Sequence, residues 1–295
     1  MEQLVERRPV RRLSRHSVIA TLRTAGLYIA AVGGAAIFMV PLVVMLGTSL
    51  KSADVLYARP FQWIPRDPQF SNYIEAWTSF PFTRYLFNTL YITIFNMIGA
   101  VLSISLAAYA LARIRFLAAK LFFALVIGSM LLPGEVTFIP EFIIWWRLGF
   151  VDTYVPLIAP GWLARGVSKI FLLRQFFRNI PMDLEDAAKI DGSTPLGRFL
   201  RVVVPLSTPA IGVVMIFEFV GKWNSFVDPL IYLNDDMKYT LNVGLNMFKD
   251  AYGETVTASP NMHLFMAIAT LIIVPILIIF VFLQRYFVEG RSEER

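Results

Sequence analysis

Leu184-Glu185-Asp186-Ala187-Ala188-Lys189-Ile190-Asp191-Gly192 stands between two apolar stretches of the chain, with Pro205 thirteen residues beyond Gly192. The residue order reads as a short helix with a defined start and stop. Pro181 suits a first helical position, where a missing N–H matters least, and Leu184, Ala187 and Ala188 fall on one face at i, i+3 and i+4. Asp191-Gly192 supplies the stop, because glycine accepts the left-handed conformation that ends a helix. A second short helix is predicted from Thr194-Pro195 to just before Pro205. Small side chains on a helix face let another backbone approach closely, so residues 179–209 read as a docking element.

The rest of the chain is too apolar for a soluble domain of its length: 57% of residues are hydrophobic, 16% are charged and the mean hydropathy is +0.61. Thr24–Leu50, Tyr85–Ala112 and Leu264–Leu283 carry no charge, and each reaches the roughly 20 residues that cross a hydrocarbon core. Leu121–Trp146, Tyr154–Leu173 and Val202–Val227 are long enough but interrupted by Pro133, Glu135, Pro140, Glu141, Arg165, Lys169, Glu218 and Lys222. Such segments must face protein or a wet cavity. The expected fold is an all-α integral membrane protein of six transmembrane helices over residues 24–290, with a basic leader at 1–23 and a tail at 291–295.

Lys and Arg mark the expected inner side. Arg7, Arg8, Arg11, Arg12, Arg15 and Arg23 fill the leader, Arg113, Arg115 and Lys120 follow the second span, and Lys189, Arg198 and Arg201 follow the fourth. Both termini and the docking loop are therefore expected in the cytoplasm, with 228–263 outside. The leader runs past signal-peptide form, so the first span is expected to be retained. Its interspersed Leu4, Val5, Leu13, Val18 and Ile19 also suit a helix lying on anionic lipid. The chain has no cysteine, which removes disulfides and thiolate chemistry.

Asp186-Ala187-Ala188, three residues, Gly192, nine residues and Val202-Val203-Val204-Pro205 together resemble the EAA loop of binding-protein-dependent ABC importer permeases, with Asp186 where the family has glutamate. Ala108-Tyr109-Ala110-Leu111-Ala112-Arg113, Ile180-Pro181, Trp223-Asn224-Ser225-Phe226 with Pro229-Leu230, Thr240-Leu241 and Gln284-Arg285-Tyr286-Phe287-Val288-Glu289-Gly290 are similar to the carbohydrate branch, maltose-type second permeases in particular. The resemblance runs from about Asn88 to Gly290. It implies that Leu184, Glu185, Asp186, Ala187, Ala188, Asp191, Gly192 and Pro205 couple to an ATPase. It also implies the partners: a homologous second permease, two ATP-binding subunits that hold ATP and magnesium, and a periplasmic substrate-binding protein. No cofactor is expected in the chain itself, and lipid rather than nucleic acid surrounds it. In maltose-type permeases the loop corresponding to 228–263 enters the cleft of the binding protein, which assigns Asn246, Tyr252, Gly253, Glu254 and Thr255 to that contact; a plain solvated loop is the other reading.

Catalysis finds no support. Gly192-Ser193-Thr194-Pro195-Leu196-Gly197-Arg198 approaches a phosphate-binding loop but has Arg198 and Phe199 where Lys and Ser/Thr are required. His16 and His263 are expected on opposite sides of the membrane, so they form no metal site. Glu135 and Glu141 lie on different faces of a helix bent by Pro140.

The pathway candidates are Arg165, Lys169, Glu218, Lys222, Trp162, Trp223 and Asn224. Glu218 and Lys222, one turn apart, either pair with each other or line the route with Asn224. Arg165 and Lys169 are of like sign and also four apart, so they need compensation: by Glu135, Glu141 or an acid on the partner permease, or by an acidic cargo such as a uronate oligosaccharide. Trp162 and Trp223 suit either an interfacial belt or stacking on a sugar ring. The expected function is the membrane subunit of an ATP-driven saccharide importer. The rival class is a secondary transporter or channel subunit with Glu135, Glu141 and Glu218 as an ion relay. A dedicated docking loop and the lack of an evident internal repeat favour the first.

Overall fold

The computed structural model describes residues 15–57, 62–252 and 261–289, and the described residues are helical, with no strand. The leader before Arg15, the tail and three of the loop residues assigned above, Gly253, Glu254 and Thr255, lie outside them. Helix α1 (Arg15–Ser49) is followed by α2 (Ser71–Thr78), α3 (Phe82–Arg113), α4 (Ala119–Ser129), α5 (Gly134–Arg147), α6 (Val155–Trp162) and α7 (Val167–Asn179). The second half holds α8 (Met182–Ile190), α9 (Pro195–Arg198), α10 (Val204–Leu206), α11 (Thr208–Trp223), α12 (Val227–Tyr232), α13 (Leu241–Tyr252) and α14 (Met262–Glu289).

The three uncharged stretches become three continuous helices of spanning length, over Arg23–Ser49, Phe82–Arg113 and Met262–Phe282. The three interrupted ones are broken. Leu121–Trp146 divides into α4 and α5 at Pro133, which starts α5 and drives the residue before it out of helical conformation. Tyr154–Leu173 divides into α6 and α7, and α7 runs on to Asn179. The expected fifth span starts later than Val202, because Pro195–Leu206 meets Thr208–Trp223 at 84°. Counted as one span, that bent pair brings the spanning elements among the described residues to four.

Helix α3 is the axis of the bundle. It packs against α6, α7 and α11, while α14 lies between α1 and α11 and touches α2 and α13. Its buried face changes character along its length. Phe82, Tyr85 and Ile92 join Phe219, Trp223, Tyr232 and Leu264 in one apolar cluster. Ala100, Ile104, Ala108 and Tyr109 join Ile170, Leu173, Phe177 and Val214 in another. Between the two lie buried Thr93 and Asn96. Leu27, Ile29, Val32 and Phe38 of α1 stand exposed, an arrangement that only a hydrocarbon surround makes favourable.

Candidate functional site

Asn96 sits halfway along the 32-residue α3. Its amide donates to the carbonyls of Leu157 (3.2 Å) and Ile158 (3.3 Å) in α6. Glycines allow that closeness: a Cβ at Gly161 would stand 2.5 Å from the Asn96 carbonyl oxygen, and one at Gly99 would strike the Trp162 ring. Further on, the Ser103 hydroxyl donates to Gly161 O (2.7 Å) and accepts from Ala164 N–H (3.1 Å). Ala164 lies in the left-handed region at φ +55°, unusual for a residue with a Cβ, and this hydrogen bond helps hold it there. The chain thereby turns between α6 and α7, and Arg165 falls in the turn.

The turn undoes the expectation that Arg165 and Lys169 repel each other one helical step apart. Arg165 meets Glu141 of α5 at 2.5 Å and Lys169 meets Glu218 of α11 at 2.6 Å. Glu218 and Lys222, expected as candidate intrahelical partners, are separated in the same way: Glu218 turns to Lys169, and Lys222 faces Asp228 at 3.7 Å. A contact between helices wins because a buried carboxylate needs an ammonium at hydrogen-bond distance, and Lys169 reaches it where Lys222 does not. Together with Asn96, Arg165, Lys169, Glu218, Lys222 and Asp228 line a polar cavity of about 220 Å3.

The tryptophans separate. Trp162 is half exposed and lines an apolar cavity of about 420 Å3 with Tyr91, Tyr154 and Ile158. Trp223 belongs to the core instead: it is buried, stacks on Phe219 at 5.4 Å and donates its indole N–H to Ile272 O at 3.1 Å. Its ring is committed to packing, which removes it from contact with cargo in this conformation. Asn224 is exposed just past the end of α11.

At the far end of α3, the docking segment folds as α8, a tight turn at Gly192 (φ +81°) and α9. Pro181 precedes the helix, and Thr194 caps α9 by accepting from Gly197 N–H at 3.1 Å. Pro205 does not end the second helix as expected. Proline lacks an N–H and crowds the carbonyl four residues back, and the chain runs through a wider π turn over Phe199–Val203 before it. Leu184, Asp186, Ala187, Asp191, Gly192 and Pro205 are exposed and Ala188 half-buried. Glu185 is buried: it meets Arg113 at 3.1 Å and accepts from the Tyr109 hydroxyl at 3.1 Å. The Arg113 guanidinium also donates to the carbonyls of Phe177 and Ile180, the last turn of α7. Sequence reasoning placed Glu185 on the docking surface, counted Arg113 among the inner-side charges and had Tyr109 only as resemblance; with four helices between Arg113 and Glu185, no local signal pairs them.

The described part of 228–263, as far as Tyr252, is more structured than a solvated loop. It holds most of α12, a 3-10 turn at Asp236–Lys238 and α13. Asn242 donates to Trp223 O at 2.7 Å and Asn246 to Asn242 O at 3.1 Å. Asn88 of α3 donates to Met237 O and Tyr239 O, so this segment lies at the end of α3 opposite α8. Lys238 meets Asp152 at 2.7 Å, which with the Asn234 and Asp235 N–H groups holds that carboxyl below its usual range; the same contact raises the lysine.

An all-helical membrane bundle with broken helices around a polar cavity, and a helix–turn–helix at one end, is the build of a transporter's membrane subunit. Residues 36–292 match the family of binding-protein-dependent transport system inner membrane components, and the chain belongs to it. It is 34% identical over 203 residues to the arabino-oligosaccharide transport system permease protein AraQ of Halalkalibacterium halodurans, covering 69% of this chain and 70% of that one. It is 32% identical to the sulfoquinovosyl glycerol permease protein SmoH of Agrobacterium fabrum, covering 85% and 86% of the two chains. With the polygalacturonan/rhamnogalacturonan permease protein YtcP of Bacillus subtilis it shares 31% identity, covering 87% and 91%. Among solved structures, a chain of a bacterial ABC transporter for import of the acidic polysaccharide alginate shares the fold, with a TM-score of 0.79, 23% identity, and 94% and 100% of the chains covered. The protein is a permease subunit of a sugar or oligosaccharide ABC importer.

Proposed function

We propose that this permease pairs with a homologous second permease and moves acidic oligosaccharides inward, driven by two ATPase subunits that grip α8. The inverted polarity of α8 carries the reading. Leu184, Ala187 and Ile190 point outward, whereas Glu185 is turned in and held by Arg113 and Tyr109. A nine-residue helix that shows apolar side chains to water and buries its acid is built to seat in a partner's groove. ATP and magnesium then belong to the partner subunits. The α8 end faces the cytoplasm, following the Lys and Arg bias, and the α12–α13 end faces the binding protein.

Two relatives named for acidic saccharides, polygalacturonan and sulfoquinovosyl glycerol, support the cargo class, as does a cavity at the mid-depth of α3 in which Lys222 has no carboxylate within hydrogen-bond distance. Against the gradient-driven alternative stand membership of the binding-protein-dependent family and the ion pairs that engage Glu141 and Glu218; the side chain of Glu135, third in that relay, lies outside the described residues.

The test is the Gly192→Val variant in the assembled transporter. At φ +81° a β-branched residue is strained, by about 1–2 kcal/mol, while a Cβ there meets no neighbour, so the turn is altered and the bundle is not. Co-purification of the ATPases and substrate-stimulated hydrolysis should both fall. Wild-type values for both in Gly192→Val and in Asp186→Lys would remove α8 from coupling.

A further inference from the structure

Two of the three cations in the mid-membrane cavity are spent. Arg165 and Lys169 each have a carboxylate in hydrogen-bond contact, at 2.5 and 2.6 Å. Lys222 does not. Among the described residues its ammonium faces only Asp228, at 3.7 Å, too long for a hydrogen bond, although the lysine side chain is mostly buried. Glu141, Arg165 and Glu218 all lie within its electrostatic reach without touching it.

The groups around Lys222 are unsatisfied as well. Lys222 lines the 220 Å3 cavity together with Asn96, and it lines a second one, of about 10 Å3, together with Thr93 and Thr240. The side-chain oxygens of all three, Asn96 Oδ1, Thr93 Oγ1 and Thr240 Oγ1, are buried without a hydrogen-bond partner. Buried polar groups are normally paired, and a cluster of unpaired ones around an ammonium marks a place where something else completes the hydrogen bonds. The small cavity holds at most a single water. The larger one is below the roughly 300–1,000 Å3 of a whole ligand pocket, so it takes one sugar residue of a chain.

We infer that Lys222, with Asn96, is the element that reads the carboxylate and a neighbouring hydroxyl of an acidic saccharide, that Thr93 and Thr240 hold a water behind the ammonium, and that Arg165 and Lys169 hold the helices together instead. The chemistry matches group by group. An ammonium with free donors faces a carboxylate, Asn96 Oδ1 accepts from a sugar hydroxyl, and the threonine hydroxyls bond the single water that their small cavity admits beside Lys222. The inference rests on the acidic-cargo reading above and narrows it to one residue.

The experiment compares uptake of oligogalacturonate with uptake of a neutral galacto-oligosaccharide of equal length, by the complete transporter with its binding protein in proteoliposomes. Lys222→Met keeps the stem and removes the charge. It should lower the uronate-to-neutral uptake ratio by about tenfold or more, with neutral uptake and subunit co-purification retained, and Lys222→Arg should restore part of the ratio. The control is Lys120, an exposed cation outside the cavity, and Lys120→Gln should leave the ratio within about twofold. Should Lys222→Met not assemble, Thr93→Val and Thr240→Val, which preserve shape and charge, take its place and must lower the ratio. An unchanged ratio in the Lys222 or threonine variants, while the wild type carries uronate, overturns this site alone; the orphan oxygens then hold only water. A wild-type transporter that carries the neutral sugar and rejects uronate overturns the cargo reading and this site with it.

Discussion

Arg113, the last residue of α3, and Glu185, in the middle of α8, form an ion pair at 3.1 Å with both side chains about 95% buried. The contact joins the bundle's central helix to the segment proposed to meet the ATPases. Arg113 also ties down the carbonyls at the end of α7.

Removing one member of such a pair leaves a buried charge uncompensated, which costs about 3–5 kcal/mol. Arg113→Ala should therefore lower the thermal midpoint of the purified complex and its ATPase content. Glu185→Gln keeps an acceptor for Tyr109 but leaves Arg113 without its counter-charge, so it should also lower the midpoint, and the assembled fraction should lose the link between substrate and hydrolysis, read as raised basal ATPase activity with less uptake per ATP hydrolysed. If Glu185→Gln shows wild-type stimulation by substrate, the pair is structural only.

Gly161 is a matter of space rather than conformation. A Cβ there stands 2.5 Å from the Asn96 backbone oxygen, which cannot swing away as a side chain would. Gly161→Ala should push α6 off α3 and destabilise by about 1–3 kcal/mol. Gly128→Ala, with no atom within 4 Å of its Cβ, is the matched control and should be neutral. Thermal unfolding in detergent distinguishes them, and equal midpoints would disprove the close packing.

Asp152 and Lys238 give a pH signature outside the spans. Asp152 is depressed in the folded protein, so its contribution is present above the ordinary carboxylate value of 3.8 and lost as pH falls through the lower folded value. Lys238 is raised, so its contribution is complete below the ordinary 10.5 and lost as pH rises through the higher folded value. Asp152→Asn removes the charge and still tolerates φ +62°. The stability gap between wild type and Asp152→Asn should be flat between those limits and close beyond either one. A gap that widens in acid would contradict the pairing.

Single cysteines at Lys189 and Asp235, both exposed, test orientation in this cysteine-free chain. An impermeant maleimide on intact cells should label position 235 and spare 189. The reverse pattern would invert the protein in the membrane.

The uncharged helices were legible because a bilayer demands an unbroken apolar run, and the break at Pro133 because proline breaks helices by its own chemistry. The break after Trp162 was not. Leu163-Ala164-Arg165-Gly166 contains no proline, and its left-handed Ala164 is held by Ser103, 61 residues away. Glu141, named among the acids that could balance Arg165, does meet it, but the Lys169–Glu218 pair was hidden, since the two are 49 residues apart and helical spacing suggested Lys222 instead. The docking segment was readable as two helices with Leu184 and Ala187 on the docking face, but the inward turn of Glu185 was not, because the Arg113 and Tyr109 that hold it lie more than 70 residues earlier.

The corner at Ser207 has a mechanical consequence. Helix α11 leaves that corner directly from the docking segment and carries Lys222 roughly 20 Å along its axis, at about 1.5 Å per residue. It is a lever with its fulcrum at the corner and its short limb in the segment proposed to meet the ATPases. A tilt of about 5° at the fulcrum swings the Lys222 end by about 2 Å over such a length. That stroke is comparable to the 2.6 Å contact between Lys169 and Glu218, so a rotation of that size at the corner would be enough to separate them without any helix unfolding.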